Sequence, residues 1–122
     1  MPRVVHFEFT ADDPERANNF YSQVFGWQIE KWNGPVDYWL IMTGPRDKPG
    51  IDGAMSRRSD FLPPTTVIVD VESVDEYVDK IIAAGGIVVA PKMAIPGVGY
   101  LAYCQDTEGN VFGIMNDDPN PK

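Results

Sequence analysis

Residues 4–27 read VVHFEFTADDPERANNFYSQVFGW, a strand, a capped helix and a glycine stop in one unbroken run. Alternation along Val4 to Phe9 puts Val5, Phe7 and Phe9 on one strand face and His6 and Glu8 on the other. Asp13 has the character of a helix N-cap. Pro14 follows at the first helical position, where its missing N–H costs nothing, and Glu15 sits against the positive helix end. Ala17, Phe20, Tyr21, Val24 and Phe25 recur at helical spacing, a stripe that the Val5, Phe7 and Phe9 face is expected to bury. Gly26 supplies a left-handed stop. A helix behind the strand and a histidine with a carboxylate in front of it imply a sheet whose open face does the work.

The 122 residues suit one domain, expected to span 1–122 and large enough to bury roughly two-thirds of its unfolded surface without crosslinks. A formal charge of −8 argues against nucleic acid and against an anionic membrane surface, while permitting a cationic ligand. Cys104 is the one cysteine, so no internal disulfide can form, and neither a leader pattern nor an apolar run of membrane length is present. These features predict a soluble cytoplasmic protein.

Downstream, strands are predicted at residues 27–31, 38–42 and 51–56, with a connector over 57–64 that ends in two prolines. The order then repeats. Residues 66–71 form a strand with Val67, Val69 and Val71 on one face and Thr66, Ile68 and Asp70 on the other. Ser73 to Glu76 fits a capping box ahead of a Tyr77, Val78, Ile81 and Ile82 stripe, and Gly85-Gly86 ends the helix. Strands follow at 87–90, 100–104 and 111–115, and residues 116–122 are expected to fray. At an offset of 60, Asp13 falls on Ser73, Gly26 on Gly86, and residues 51–55 on 111–115. Two βαβββ modules, over residues 3–58 and 64–116, are the simplest account.

Paired βαβββ modules, with HFEFTADDPERANNFY and DTEGNVFGIM, resemble the vicinal oxygen chelate superfamily of glyoxalase I, bleomycin-resistance proteins and extradiol dioxygenases. The resemblance implies an α+β fold in which each module's mixed sheet curls into half of a cup, with helices on the outer face, and it implies a homodimer. It also implies four metal ligands, one on the first and one on the last strand of each module. Those positions fall on His6, Gly53, Thr66 and Gly113. Two glycines and a threonine leave a lone imidazole, which does not hold a metal against water, so neither a metal nor another cofactor is expected.

Several residues remain as candidates. His6 can serve as a general base oriented by Glu8, whose charge would raise the imidazole pKa, or the two can pair structurally. Trp39, Met55, Tyr100 and Met115 can line an aromatic and thioether pocket or fill the core. Gly53 and Gly113 either make room for a ligand or mark strand bends. Residues 94–99 form a lid or an ordinary connection. The functional expectation is a small-molecule binder of the glyoxalase and bleomycin-resistance kind, with lyase or isomerase chemistry. The alternatives are a non-catalytic sequestering module and, more weakly, a metal-dependent lactoylglutathione lyase.

Overall fold

In a computed structural model, which describes residues 2–121, Asp13 is extended and accepts the Arg16 backbone N–H at 3.1 Å, so the chain turns from strand β1 (Arg3–Ala11) into helix α1 (Pro14–Phe25) where the sequence predicts. Strands β2 (Gln28–Lys31), β3 (Tyr38–Met42) and β4 (Gly53–Arg57) follow. Then come β5 (Thr65–Asp70), helix α2 (Val74–Ala83), β6 (Ile87–Ile95), β7 (Gly99–Gln105) and β8 (Val111–Asp117). The class is α+β, as expected. The chain divides into two units, one His6–Thr65 and the other holding the residues from Thr66 onward with the first few of the chain.

In the first unit the strand order is β2-β3-β4-β1, with β1 and β4 parallel and the other pairs antiparallel. Register fixes the faces. Phe7 lies opposite Gly53 and Gly53 opposite Ile41, while Phe9 lies opposite Met55 and Met55 opposite Trp39. These residues share the α1 side, where Trp39, Ile41, Met55 and Ala11 form a buried cluster with Phe7, Phe9, Ala17 and Trp27 around it. Burying side chains the size of Ile41 and Met55 contributes about 1.5–3 kcal/mol each. The intervening residues Glu8, Ala54 and Leu40 form the opposite row.

Helix α1 is rotated relative to the expected stripe. Pro14, Ala17, Asn18, Tyr21 and Ser22 face the sheet, whereas Phe20, Val24 and Phe25 are 57%, 55% and 59% exposed. Buried Pro14 at the first helical position fixes this phase together with Asn18, whose side-chain amide donates to the Ile29 carbonyl at 3.4 Å and whose oxygen accepts the Ser22 hydroxyl at 2.9 Å.

In the second unit the order is β5-β8-β7-β6, again with one parallel pair, β5 with β8. Val71, Val74, Ala102, Cys104 and Ile114 form its core beneath Tyr77, Val78 and Ile81 of α2, while Ile82 is exposed. Ser73 caps α2 by accepting the Glu76 N–H at 3.2 Å. The repeat slips here. Caps keep the offset of 60, but the left-handed glycine after α2 is Gly85, φ 100°, not Gly86, because α2 spans 10 residues against 12 in α1. Gly53 accordingly sits beside Phe7 on the helix side, whereas Gly113 pairs with Ile68 on the side turned from α2. The final strands therefore match at 59 rather than 60.

Strand β6 runs past the predicted Ala90 to Ile95, with irregular register on both sides of Ala90 that accommodates Pro91 on this edge strand. Residues 96–98 then make a tight turn in which Val98 N–H donates to the Ile95 carbonyl at 2.9 Å, so the segment read as a lid or a connection is an ordinary connection. The last strand extends to Asp117, beyond the predicted Met115, and Asp118 N–H donates to the Val98 carbonyl at 3.0 Å.

Candidate functional site

Strand alternation brings His6 and Glu8 to the side of the first unit turned from α1, as predicted. His6 is half-buried and Glu8 is 5% exposed. A buried carboxylate needs donors, and the Tyr38 hydroxyl supplies one to Glu8 Oε2 at 2.7 Å. Tyr38 begins β3, on the strand row of Ser56. Farther along β3, Leu40 and Met42 share this side and are 41% and 37% exposed, an apolar surface beside the polar pair. Asp52, directly before β4, accepts the Thr43 N–H at 2.9 Å and is close enough to act electrostatically on His6.

The expected effect of Glu8 on His6 is outweighed. Burial lowers the imidazole pKa below its ordinary value of 6.5, while the Glu8 and Asp52 carboxylates pull upward and lose. His6 is therefore a neutral imidazole at neutral pH. A histidine whose pKa is lower folded than unfolded binds fewer protons in the folded state, so its contribution is most favourable above pH 6.5 and is lost as pH falls through 6.5 towards the folded pKa. Urea titrations across this window should show stability declining with acidification, with the decline smaller in His6→Gln. An equal slope in both proteins would refute the assignment.

Of the other predicted site residues in the first unit, Trp39, Gly53 and Met55 lie on the α1 side rather than with His6. Trp39, 2% exposed, lies under α1, where its indole N–H donates to Glu15 Oε1 at 2.9 Å and Lys31 and Arg57 lie over its ring. Met55 is buried on the same side. Gly53 makes no room for a ligand, because a Cβ there would lie 2.5 Å from the Phe7 ring. Tyr100 packs against the core beneath α2, with the Lys92 ammonium 4.6 Å from its ring centre. Thr66, Gly113 and Met115 lie on the side of the second unit turned from α2; Thr66 is buried, Met115 half-buried, and the space beside Gly113 is taken by Ile68. The sequence reading missed Tyr38, Leu40, Met42 and Asp52.

The four-ligand metal implied by the resemblance does not fit these residues. Gly53 faces Phe7 on the α1 side, Gly113 faces Ile68, and among the described residues no three of His, Cys, Asp and Glu converge to hold a metal ion. Cys104 is buried in the second core, and burial raises its thiol pKa. Among the described residues no helix is long and apolar enough to cross a membrane.

Residues 3–44 match the family model described as bleomycin resistance protein-like N-terminal. No curated protein matches the chain. Among solved structures, a methylmalonyl-CoA epimerase from Mycobacterium tuberculosis is 10% identical with a TM-score of 0.70, over 95% of this chain and 88% of that one. A variant Streptomyces coelicolor methylmalonyl-CoA epimerase in complex with 2-nitronate-propionyl-CoA is 12% identical with a TM-score of 0.72, over 98% and 97%. A hypothetical protein from Bacillus halodurans is 10% identical with a TM-score of 0.72, over 99% and 98%. At these identities the likeness is one of fold.

Proposed function

We propose that this chain, a member of the vicinal oxygen chelate superfamily, holds a small organic molecule against the His6 and Glu8 face of its first unit and moves a proton on it through His6, without the usual metal. The observation that carries this reading is the placement of half-buried His6 on the face where Glu8 is buried and held by the Tyr38 hydroxyl at 2.7 Å. Burial lowers the imidazole pKa, which keeps its lone pair available as a base near neutral pH. In the step, a C–H bond beside a carbonyl breaks, an N–H bond forms on His6, and the electron pair passes to the ligand as an enolate. Return of the proton to the same or a neighbouring carbon completes an isomerisation. The imidazolium formed lies in the field of Glu8 and Asp52, which stabilises it. Tyr38 is a positioning residue that holds Glu8, and Leu40 and Met42 offer apolar contact. The fold's use in methylmalonyl-CoA epimerases supports the isomerase class.

A second reading, sequestration of an organic cation without turnover, is supported by the two carboxylates on this face and the formal charge of −8. The buried free Cys104 supports a cytoplasmic setting, and exposed Ile82 and Ile87 support pairing as a homodimer.

Deuterium exchange from solvent into methylmalonyl-CoA tests the catalytic reading. Wild-type protein should catalyse exchange, and His6→Gln should slow it on the order of a hundredfold or more, the usual scale for losing a general base. Equal exchange in the variant would remove His6 from that role. Saturable binding without any exchange would replace catalysis by sequestration.

A further inference from the structure

A cavity of about 510 Å³ opens in the first unit between the first turns of α1, the end of β1 and the connector after β4. It is separate from the His6 face, since its lining includes Met55 and Ala17 on the α1 side and excludes His6, Glu8 and Tyr38. Its volume is that of a small-molecule pocket. Its floor and one wall are Met55, Phe9 and Tyr21, with Phe20 standing edge-on to Tyr21 at 85° and presenting its ring to solvent. The connector is fixed to β1, with Thr10 N–H donating to the Pro64 carbonyl at 2.9 Å and Arg58 N–H to the Ala11 carbonyl at 3.2 Å. The pocket edge is thus built rather than loose.

We propose that this cavity binds a small aromatic carboxylate, its ring against Phe20 and Tyr21 and its carboxylate between Arg16 and Arg58. The two guanidiniums select the anion. Arg16 lies 4.0 Å from Asp13 and Arg58 3.7 Å from Asp12, both beyond hydrogen-bond distance, and both arginine side chains are more than half exposed. Asp13 cannot turn to a cationic ligand without loss, because its other oxygen caps α1. A ligand carboxylate can instead take the bidentate geometry that neither aspartate provides.

Phenylacetate titrated into the full chain, followed by backbone amide chemical shifts, tests the proposal. Saturable shifts are expected at Thr10, Ala17 and Tyr21. Affinity should fall on the order of tenfold or more in the Arg16→Ala/Arg58→Ala protein and also in Phe20→Ala, and benzyl alcohol, which lacks the charge, should bind correspondingly weakly. All three altered side chains are largely exposed, so retained spectral dispersion will verify the fold of each variant. No saturable shift, shifts confined to His6 and Glu8, equal binding of benzyl alcohol, or unchanged affinity in either variant would overturn it.

Discussion

Gly99→Ala should lower the unfolding free energy by about 4 kcal/mol, the range reserved for backbone strain compounded by a steric clash. Gly99 opens β7 at φ 153°, a backbone conformation that side chains rarely adopt. A Cβ there would collide with the Asn116 carbonyl and lie 2.9 Å from the Asp118 nitrogen. The obstructing backbone has little freedom to withdraw. Asn116 Oδ1 accepts the Val74 N–H at 2.9 Å, tying it to the start of α2, and Asp118 N–H is held by the Val98 carbonyl. Relief of the clash would break one of these bonds or separate β7 from β8. For a chain of this size the midpoint of thermal unfolding should drop by roughly 10–15 °C. A urea titration giving a loss below about 1 kcal/mol would show that the turn relaxes freely.

How much of this was legible in the sequence depended on contrast between neighbouring residues. In β1 the alternation of Phe7 and Phe9 with His6 and Glu8 is unambiguous, and the caps Asp13 and Ser73 announce themselves by residue type. In β3 every residue from Tyr38 to Met42 is apolar or aromatic, so period-2 reading offers no phase. Only the register with Met55 puts Trp39 under α1 and leaves Tyr38 to meet Glu8. The Gly85-Gly86 doublet concealed the shorter second helix, and one residue of slip moved the final strand to the other face. The orientation of α1 was equally hidden, since Asn18 and Ser22 reach the sheet by hydrogen bonds that an apolar stripe does not record. Tyr38 and Asp52 join His6 through pairing across 32 and 46 residues of chain, which local patterns do not encode.

Gly53→Ala tests whether that glycine leaves room for a ligand or lets the Phe7 ring pack against the strand. If the missing side chain leaves room for a ligand, the substitution spares stability and blocks binding. The packing gives the opposite result. The new Cβ would lie 2.5–2.6 Å from three atoms of the Phe7 ring. That ring is hemmed in by Phe9, 5.1 Å between centres, and Trp27, 6.3 Å, so it cannot swing aside without disturbing the cluster under α1. Overpacking of this kind should cost about 2–3 kcal/mol. Phe7→Leu removes the obstruction at its own cost, so the double variant should be more stable than the sum of the two losses predicts, with a coupling above about 1 kcal/mol. Additive losses would sink the packing account. His6 immediately precedes Phe7 on β1 and owes its low pKa to burial, so a strand displaced by the new methyl should expose the imidazole and raise its titration midpoint towards 6.5. An NMR titration of His6 therefore reads the same clash from the functional face. The midpoint should rise in Gly53→Ala and return in the double variant, linking the fit of one glycine under a phenyl ring to the protonation state of the proposed base.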